Sequence, residues 1–205
     1  MKIIVADDHV VVRKGLKQIL LEMSGVKAVE EVDNGSALIE RVTKEDFDFV
    51  VLDISMPGQS GLLTLKEIKN HKPKLPVLML SIHPEEQYAL RALKDGASGY
   101  ITKDSAPDEL VKAIQKILSG HKYITQTIAD KLVGDFGDKL PHALLSDREY
   151  EVFSMIAVGR TMTDIADELS LSVKTVSTYR SRIYDKMNMK SRTELTLYAI
   201  QNKLV

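Results

Sequence analysis

Through the first 120 residues, short apolar runs alternate with segments whose apolar positions recur every three or four residues. The runs at 2–6, 26–32, 47–52, 76–80 and 98–101 have the length of strands, and continuous apolar character suits strands covered on both faces. Between them the spacing predicts helices at 9–23, 36–42, 62–70 and 85–93. A fifth, over 107–119, carries Leu110, Ala113, Ile114, Ile117 and Leu118 on one face. Asn34-Gly35-Ser36 supplies capping chemistry for the second helix. Strand–helix alternation of this kind implies right-handed crossovers and an α/β fold, a doubly wound parallel sheet of (βα)5 order.

The pattern weakens after Gly120. Residues 126–133 have the spacing of a helix, but Gly134, Gly137 and Pro141 break the periodicity beyond it, so 121–143 reads as a connector between domains. Strand signals then stop, and four helices are predicted at 147–158, 163–169, 173–187 and 192–202. The chain therefore divides into an α/β domain at 1–120, a linker at 121–143 and an all-α four-helix domain at 144–205. Ser146 with Glu149 three residues later forms a capping box for the first of these helices. The second and third helices flank a tight turn at Ser170-Leu171-Ser172, a helix-turn-helix pattern. Val176, Ile183 and Met187 mark the buried face of the third, with Tyr179 or Arg180 bridging, while Lys174, Ser177, Thr178 and Ser181 mark its exposed stripe.

Composition changes this picture in three ways. A charged fraction of 28% against 44% hydrophobic is ordinary for a globular protein. No apolar run approaches bilayer length, and Met1-Lys2-Ile3 leads straight into structure without a signal peptide, so a cytoplasmic protein with no membrane partner is expected. The chain has no Cys, which excludes disulfides, thiolate metal sites and Cys catalysis. The net charge of -1 conceals a basic patch: within 171–192 stand Lys174, Arg180, Arg182, Lys186, Lys190 and Arg192 against Asp185 alone. Such a patch suits a polyanion, although a solvated helix face explains the charge nearly as well. On the third helix of this domain, Lys174, Thr175, Ser177, Thr178 and Ser181 suit base edges in double-stranded DNA, and Arg182, Lys186 and Lys190 would flank them on phosphates.

The other candidate chemistry lies at strand ends. Asp7-Asp8 closes the first strand, Asp53 the third and Ser81 the fourth, and Lys103 lies just past the fifth. In a parallel sheet these residues converge on the edge where ligands of doubly wound folds bind. Singly, each has a plainer explanation: Asp7 or Asp8 as a helix cap, Asp53 as a cap of the Met56-Pro57-Gly58 turn, Ser81 as a turn hydroxyl, Lys103 as surface. Together they do not. Carboxylates 4 Å apart repel by roughly 4 kcal/mol per pair at an effective dielectric near 20. Protons or a cation must offset that, and an all-oxygen site without His or Cys suits Mg²⁺ or Mn²⁺. A hard cation beside a nucleophilic carboxylate and a Lys is a phosphoryl-transfer layout.

With these residues the N-terminal part resembles the receiver domain of bacterial two-component response regulators. Asp7-Asp8, Asp53 followed by Met56-Pro57-Gly58, Ser81, Tyr100 and Lys103 stand in that family's order and spacing. The resemblance implies that Asp53 accepts phosphate from a sensor histidine kinase. It implies that Asp8, Asp53 and the Ser55 carbonyl ligate Mg²⁺, with Asp7 acting through water. Lys103 would pair with the phosphoryl group, Ser81 would reach over to it, and the Tyr100 ring would swing inward as Ser81 moves. On periodicity alone Tyr100 is a core aromatic.

The C-terminal part is similar to the LuxR-type DNA-binding domain of NarL/FixJ response regulators. The match runs from Leu145-Ser146-Asp147-Arg148-Glu149 through Ile165-Ala166 and Leu171-Ser172-Val173-Lys174-Thr175-Val176 to Ser191-Arg192-Thr193-Glu194-Leu195. Ser177 and Tyr179 stand where many members have Lys and His, and Thr161-Met162-Thr163 replaces a more polar turn. The expected protein is a transcription regulator, phosphorylated on Asp53 to form a homodimer on DNA, and not an enzyme beyond loss of its own phosphate. Two rivals stand beside it: a regulator controlled by protein contacts without phosphate, and an aspartyl-phosphate phosphotransferase. The latter generally needs a carboxylate two residues after the nucleophile, where this chain has Ser55.

Overall fold

A computed structural model describes residues 1–83, 85–125, 128–129 and 140–205. They fall into two compact units, the first running from Met1 to Ala129. The candidate helix at 126–133 and the breaks at Gly134 and Gly137 lie largely or wholly outside the described residues.

In the first unit five parallel strands alternate with five helices: β1 (Lys2–Ala6), α1 (Val10–Leu21), β2 (Ala28–Val32), α2 (Gly35–Lys44), β3 (Phe49–Asp53), α3 (Gly61–His71), β4 (Val77–Ser81), α4 (Glu85–Lys94), β5 (Gly99–Thr102) and α5 (Ala106–Leu118). The strand order is β2-β1-β3-β4-β5. Every residue of β3 and β4 is buried, as their unbroken apolar runs require. One core layer joins Ile3, Val5, Phe49, Val51, Leu78 and Leu80 of the sheet to Leu16 and Leu20 of α1 and Leu110 and Ile114 of α5. Asn34 caps α2 by accepting the Ala37 N–H at 2.8 Å.

The chain after α5 continues on this unit rather than leaving it at 120. Tyr123 donates its N–H to the Ser98 carbonyl at 2.9 Å and bridges to Gly99, and Ile128 is buried. A Cβ on Gly99 would lie 2.9 Å from the Tyr123 Cβ, so the bare backbone of Gly99 permits the approach.

The second unit holds a short 3-10 turn (Pro141–Leu144) and α6 (Asp147–Ala157), α7 (Met162–Glu168), α8 (Val173–Met187) and α9 (Arg192–Gln201). Its centre is α6, which buries Tyr150, Val152, Phe153 and Ile156. Ile165 and Ala166 of α7, Val176, Ile183 and Met187 of α8, and Leu195 and Ala199 of α9 are buried with them. The turn between α7 and α8 passes through Ser170 at φ 55°, and the Leu171 N–H closes it on the Ala166 carbonyl at 2.8 Å. Ser172 caps α8 through the Thr175 N–H at 3.0 Å. Thr161 and Asp164 form a second capping box, at α7, that apolar spacing does not signal. No helix among the described residues is long and apolar enough to cross a membrane.

The capping box at Ser146 does more than start α6. Glu149 accepts the Ser146 N–H at 2.8 Å and also pairs through Oε2 with Lys186 Nζ at 2.6 Å, tying α6 to the far end of α8. Burial raises the Glu149 carboxyl, but Lys186 and Ser146 outweigh it and hold the group below its ordinary value. A depressed folded value means that this contribution is present above the ordinary carboxyl range and is lost as pH falls through the depressed one. Glu149→Ala should destabilise the second unit by about 2 kcal/mol at pH 7. Thermal melts from pH 7 down to 3 should show the gap to wild type closing as the carboxyl protonates; a gap independent of pH would refute the role given to Glu149.

Candidate functional site

Strand order in the first unit reverses between β1 and β3, and ligand sites of doubly wound sheets form at the carboxyl edge of such a reversal. Asp7 follows β1 and Asp53 ends β3, and both are fully buried. Lys103, just past β5, places Nζ 2.8 Å from Asp7 Oδ2 and 2.8 Å from Asp53 Oδ2. Its own N–H donates to the Ser81 carbonyl at 2.7 Å, which fixes the start of that loop against β4. One ammonium thus bridges two carboxylates from different strands.

Asp7 Oδ1 accepts the His9 N–H at 2.7 Å, closing a turn two residues long instead of capping α1. His9 is itself the extended N-cap residue of α1, and its Nδ1 lies 2.8 Å from Asp8 Oδ1 and 3.2 Å from Asp7 Oδ1. Ligand atoms of Asp7, Asp8, His9 and Asp53 all lie within 4.8 Å of one another. His9, which the sequence reading left out of this cluster, stands at the pocket rim because α1 begins only at Val10. Asp7 Oδ2 and Asp8 Oδ1 are buried, reached by the Lys103 ammonium at 2.8 Å and by the His9 ring at 2.8 Å. Three carboxylates gathered around one ammonium leave surplus negative charge, a condition that fits a bound cation.

Burial pushes the Asp53 carboxyl up to about 6; Lys103 and the Ser55 N–H, 3.3 Å from Oδ1, pull it down, and Asp7 adds to the rise. For Lys103, burial acts to lower the ammonium, but the hydrogen bonds and charges of Asp53 and Asp7 prevail and raise it.

Ser81 is buried, and its Oγ accepts the His83 N–H at 3.0 Å. Tyr100 is only 3% exposed and donates its hydroxyl to the His83 carbonyl at 2.8 Å. The ring that the resemblance expects to swing inward already lies inside, held to the residue that holds Ser81. The His83 ring sits against Tyr88 of α4, with centroids 5.1 Å apart.

Gly61 positions the site without reacting in it, and sequence reasoning passes over it. Its N–H donates to the Ile54 carbonyl at 2.8 Å, and a Cβ there would lie 2.1 Å from the Asp53 carbonyl oxygen. The first turn of α3 therefore rests directly on the backbone of Asp53. A glycine directly after a Ser at the start of a helix was the available signal.

In the second unit Lys174, Thr178, Ser181 and Arg182 are exposed, and Thr175 and Ser177 are partly so. Thr178 and Ser181 donate their hydroxyl protons to the carbonyls of Lys174 and Ser177, at 3.0 and 3.2 Å, so both present lone pairs outward. Lys174 and Arg182 pair with no carboxylate among the described residues. Lys186, expected as a phosphate contact, pairs with Glu149 at 2.6 Å while its side chain stays 41% exposed. Lys190 is exposed, and its backbone N–H donates to Glu194 at 2.9 Å.

Comparison with known proteins matches residues 3–115 to the response regulator receiver domain and residues 143–199 to bacterial regulatory proteins of the luxR family. The oxygen regulatory protein NreC of Staphylococcus epidermidis is 36% identical, with 100% of this chain and 99% of the relative covered. The response regulator UvrY of Escherichia coli is 34% identical, covering 100% and 95%. RcsB of Salmonella enterica serovar Typhimurium, solved bound to a promoter in the presence of the phosphomimetic BeF3-, aligns with a TM-score of 0.68 at 29% identity, over 97% of this chain and 98% of that one. A further RcsB structure, of two dimers on two parallel DNAs, aligns at 0.61 and 30% identity over 98% of both chains. A receiver edge carrying paired carboxylates and a bridging lysine, joined to a helix-turn-helix unit and matched along its whole length, makes this chain a two-component response regulator of the NarL/FixJ type, with a LuxR-family DNA-binding domain.

Proposed function

We propose that Asp53 accepts a phosphoryl group from a phosphohistidine of a sensor histidine kinase, and that this drives homodimerisation and binding to operator DNA. The observation that carries the reading is the Lys103 ammonium bridging Asp7 and Asp53 at 2.8 Å each, with an Asp8 carboxylate oxygen within 4.8 Å of theirs. An Asp53 oxygen attacks phosphorus in line, the P–N bond breaks, and the imidazole nitrogen leaves with the electron pair. Burial makes that carboxylate poorly solvated and so more nucleophilic, while a value of about 6 leaves it mostly ionised at neutral pH. Asp8, Asp53 and the Ser55 carbonyl would hold Mg²⁺ or Mn²⁺, with Asp7 acting through water. The ion supplies neutralising charge on the phosphoryl oxygens.

Lys103 would then exchange part of its contact with Asp53 for a phosphoryl oxygen. Ser81 would turn from the His83 N–H toward that group, and Tyr100, bonded to the same His83, would follow. A nearly complete switch needs about 5.5 kcal/mol of differential stabilisation. Charge-assisted hydrogen bonds from Lys103 and Ser81 supply much of it. Hydrolysis of the chain's own acyl phosphate would end the signal. In the partition read from the sequence, 1–120 receives the phosphate, 121–143 connects and 144–205 binds DNA, in the cytoplasm. Lys174, Thr175, Ser177, Thr178 and Ser181 would read bases, with Arg182, Lys186 and Lys190 on phosphates.

Asp53→Ala should abolish labelling by acetyl phosphate and remove the gain in mass and DNA affinity on adding beryllofluoride; undiminished labelling would exclude Asp53 as acceptor. Lys174→Ala should weaken operator binding by about 1–3 kcal/mol, and more than it weakens binding to random DNA. Equal losses would make Lys174 a phosphate contact. The raised Asp53 value also carries a sign: stability linked to this group is full below about 4 and is lost as pH rises through about 6. Asp53→Asn in Mg²⁺-free buffer should therefore stabilise the first unit more at pH 8 than at pH 5, by about 1.5 kcal/mol. Melts showing the same shift at both values would sink that account.

A further inference from the structure

Arg13 is not among the residues that the strand ends bring together, yet its guanidinium reaches them from α1. The side chain is only 13% exposed. Its Nη1 donates to the Asp7 carbonyl, and its Nε stands 4.0 Å from Oε2 of Glu31 on β2. Glu31 is held in turn by Lys17, whose Nζ lies 2.6 Å from Oε1. β1 pairs as far as Ala6, with Val32 on one side and Leu52 on the other. Asp7 follows both ladders: its N–H still donates to the Val32 carbonyl at 3.2 Å, but its own carbonyl is met by a side chain.

That carbonyl belongs to the peptide joining Asp7 to Asp8. The plane of this peptide sets the direction in which the chain leaves for Asp8, and so where the Asp8 carboxylate can stand. Three bonds lock the segment into a circuit. Asp7 Oδ1 accepts the His9 N–H at 2.7 Å, the His9 carbonyl accepts the Arg13 N–H at 3.0 Å, and the Arg13 guanidinium returns to the Asp7 carbonyl. A cation recruited only to offset the acids would sit on a carboxylate oxygen. Among the described residues Arg13 forms an ion pair with Glu31 and none with Asp7, Asp8 or Asp53, whose oxygens it leaves to Lys103, His9 and an incoming ion. Its charge by itself works against a metal ion, since like charges repel.

We propose that Arg13 is a positioning residue for the metal site: by holding the Asp7 carbonyl it fixes the Asp7–Asp8 peptide, so that Asp8 meets the Mg²⁺ or Mn²⁺ bound with Asp53. The gain in ligand placement exceeds the repulsion, so removing this cation weakens the binding of another. The inference rests on the reading of Asp8 and Asp53 as metal ligands.

The test titrates the full chain with Mn²⁺ in metal-free buffer and follows the free ion by electron paramagnetic resonance. Arg13→Met keeps a long side chain without donor or charge, and should raise the dissociation constant about tenfold, as loss of a group that orients a metal ligand does. Arg13→Gln, a milder change, should shift it in the same direction by about threefold or more, the loss of one hydrogen bond. Arg13→Lys keeps the charge and a donor and should recover most of the affinity lost in Arg13→Met. Glu31→Gln leaves the carbonyl bond in place and should change the constant by less than about threefold, the scale of a part-exposed pair. If Arg13→Met and Arg13→Gln bind Mn²⁺ as tightly as wild type, or more tightly, Arg13 is a bystander cation and the proposal is overturned. A loss in Glu31→Gln equal to that in Arg13→Met would assign the effect to the ion pair and overturn it too. Asp8→Asn separates the two readings, and should weaken binding at least as much as Arg13→Met. Should Asp8→Asn bind Mn²⁺ like wild type, the metal reading of the pocket falls. Should Asp8→Asn lose affinity while the Arg13 variants do not, only the role of Arg13 falls.

Discussion

The receiver unit depends on one ammonium placed between two buried carboxylates. At 2.8 Å and an effective dielectric near 20, each Lys103–Asp attraction has a gross magnitude of about 6 kcal/mol, most of it consumed in removing the ions from water. Two anions and one cation still leave a surplus of negative charge, with Asp8 beside it. Burial above all, with the Asp7 charge adding to it, holds Asp53 above its ordinary value against the pull of Lys103. A pocket in that condition gains from any added positive charge.

The route outward from the pocket is short. Ser81 and Tyr100 stand on adjacent strands and converge on opposite sides of one residue, His83, whose ring lies against α4. Movement of the Ser81 hydroxyl must release the His83 N–H, which disturbs the acceptor of the Tyr100 hydroxyl. Close packing on the far side is equally strict. Gly61 brings α3 so near the Asp53 backbone that no side chain fits, which holds Asp53 at the sheet edge.

In the second unit cations are divided between fold and function. Lys186 is held by the buried Glu149 and joins α8 to the central helix, and Arg192 donates to the Arg160 carbonyl. Lys174 and Arg182 of α8 are left without carboxylate partners among the described residues. The helix is fixed at one end by a charge pair and presents unpaired charge toward the other, an allocation that favours a polyanion over an ordinary solvated face.

The sequence by itself determined the order of strands and helices, because continuous apolar runs and three-to-four spacing reflect burial that is local in the chain. The capping box at Ser146 and Glu149, the turn at Ser170 and the strand-end positions of Asp7, Asp53, Ser81 and Lys103 were legible for the same reason. Tertiary structure alone decided which partners those groups take. That His9 joins the acidic set depends on where α1 starts; that Lys186 serves Glu149 depends on α8 crossing α6. That the chain past 120 returns to β5 depends on Tyr123 fitting against a bare Gly99. In each case the deciding contact spans residues far apart in sequence or turns on an end of an element, and one-dimensional periodicity carries no record of either.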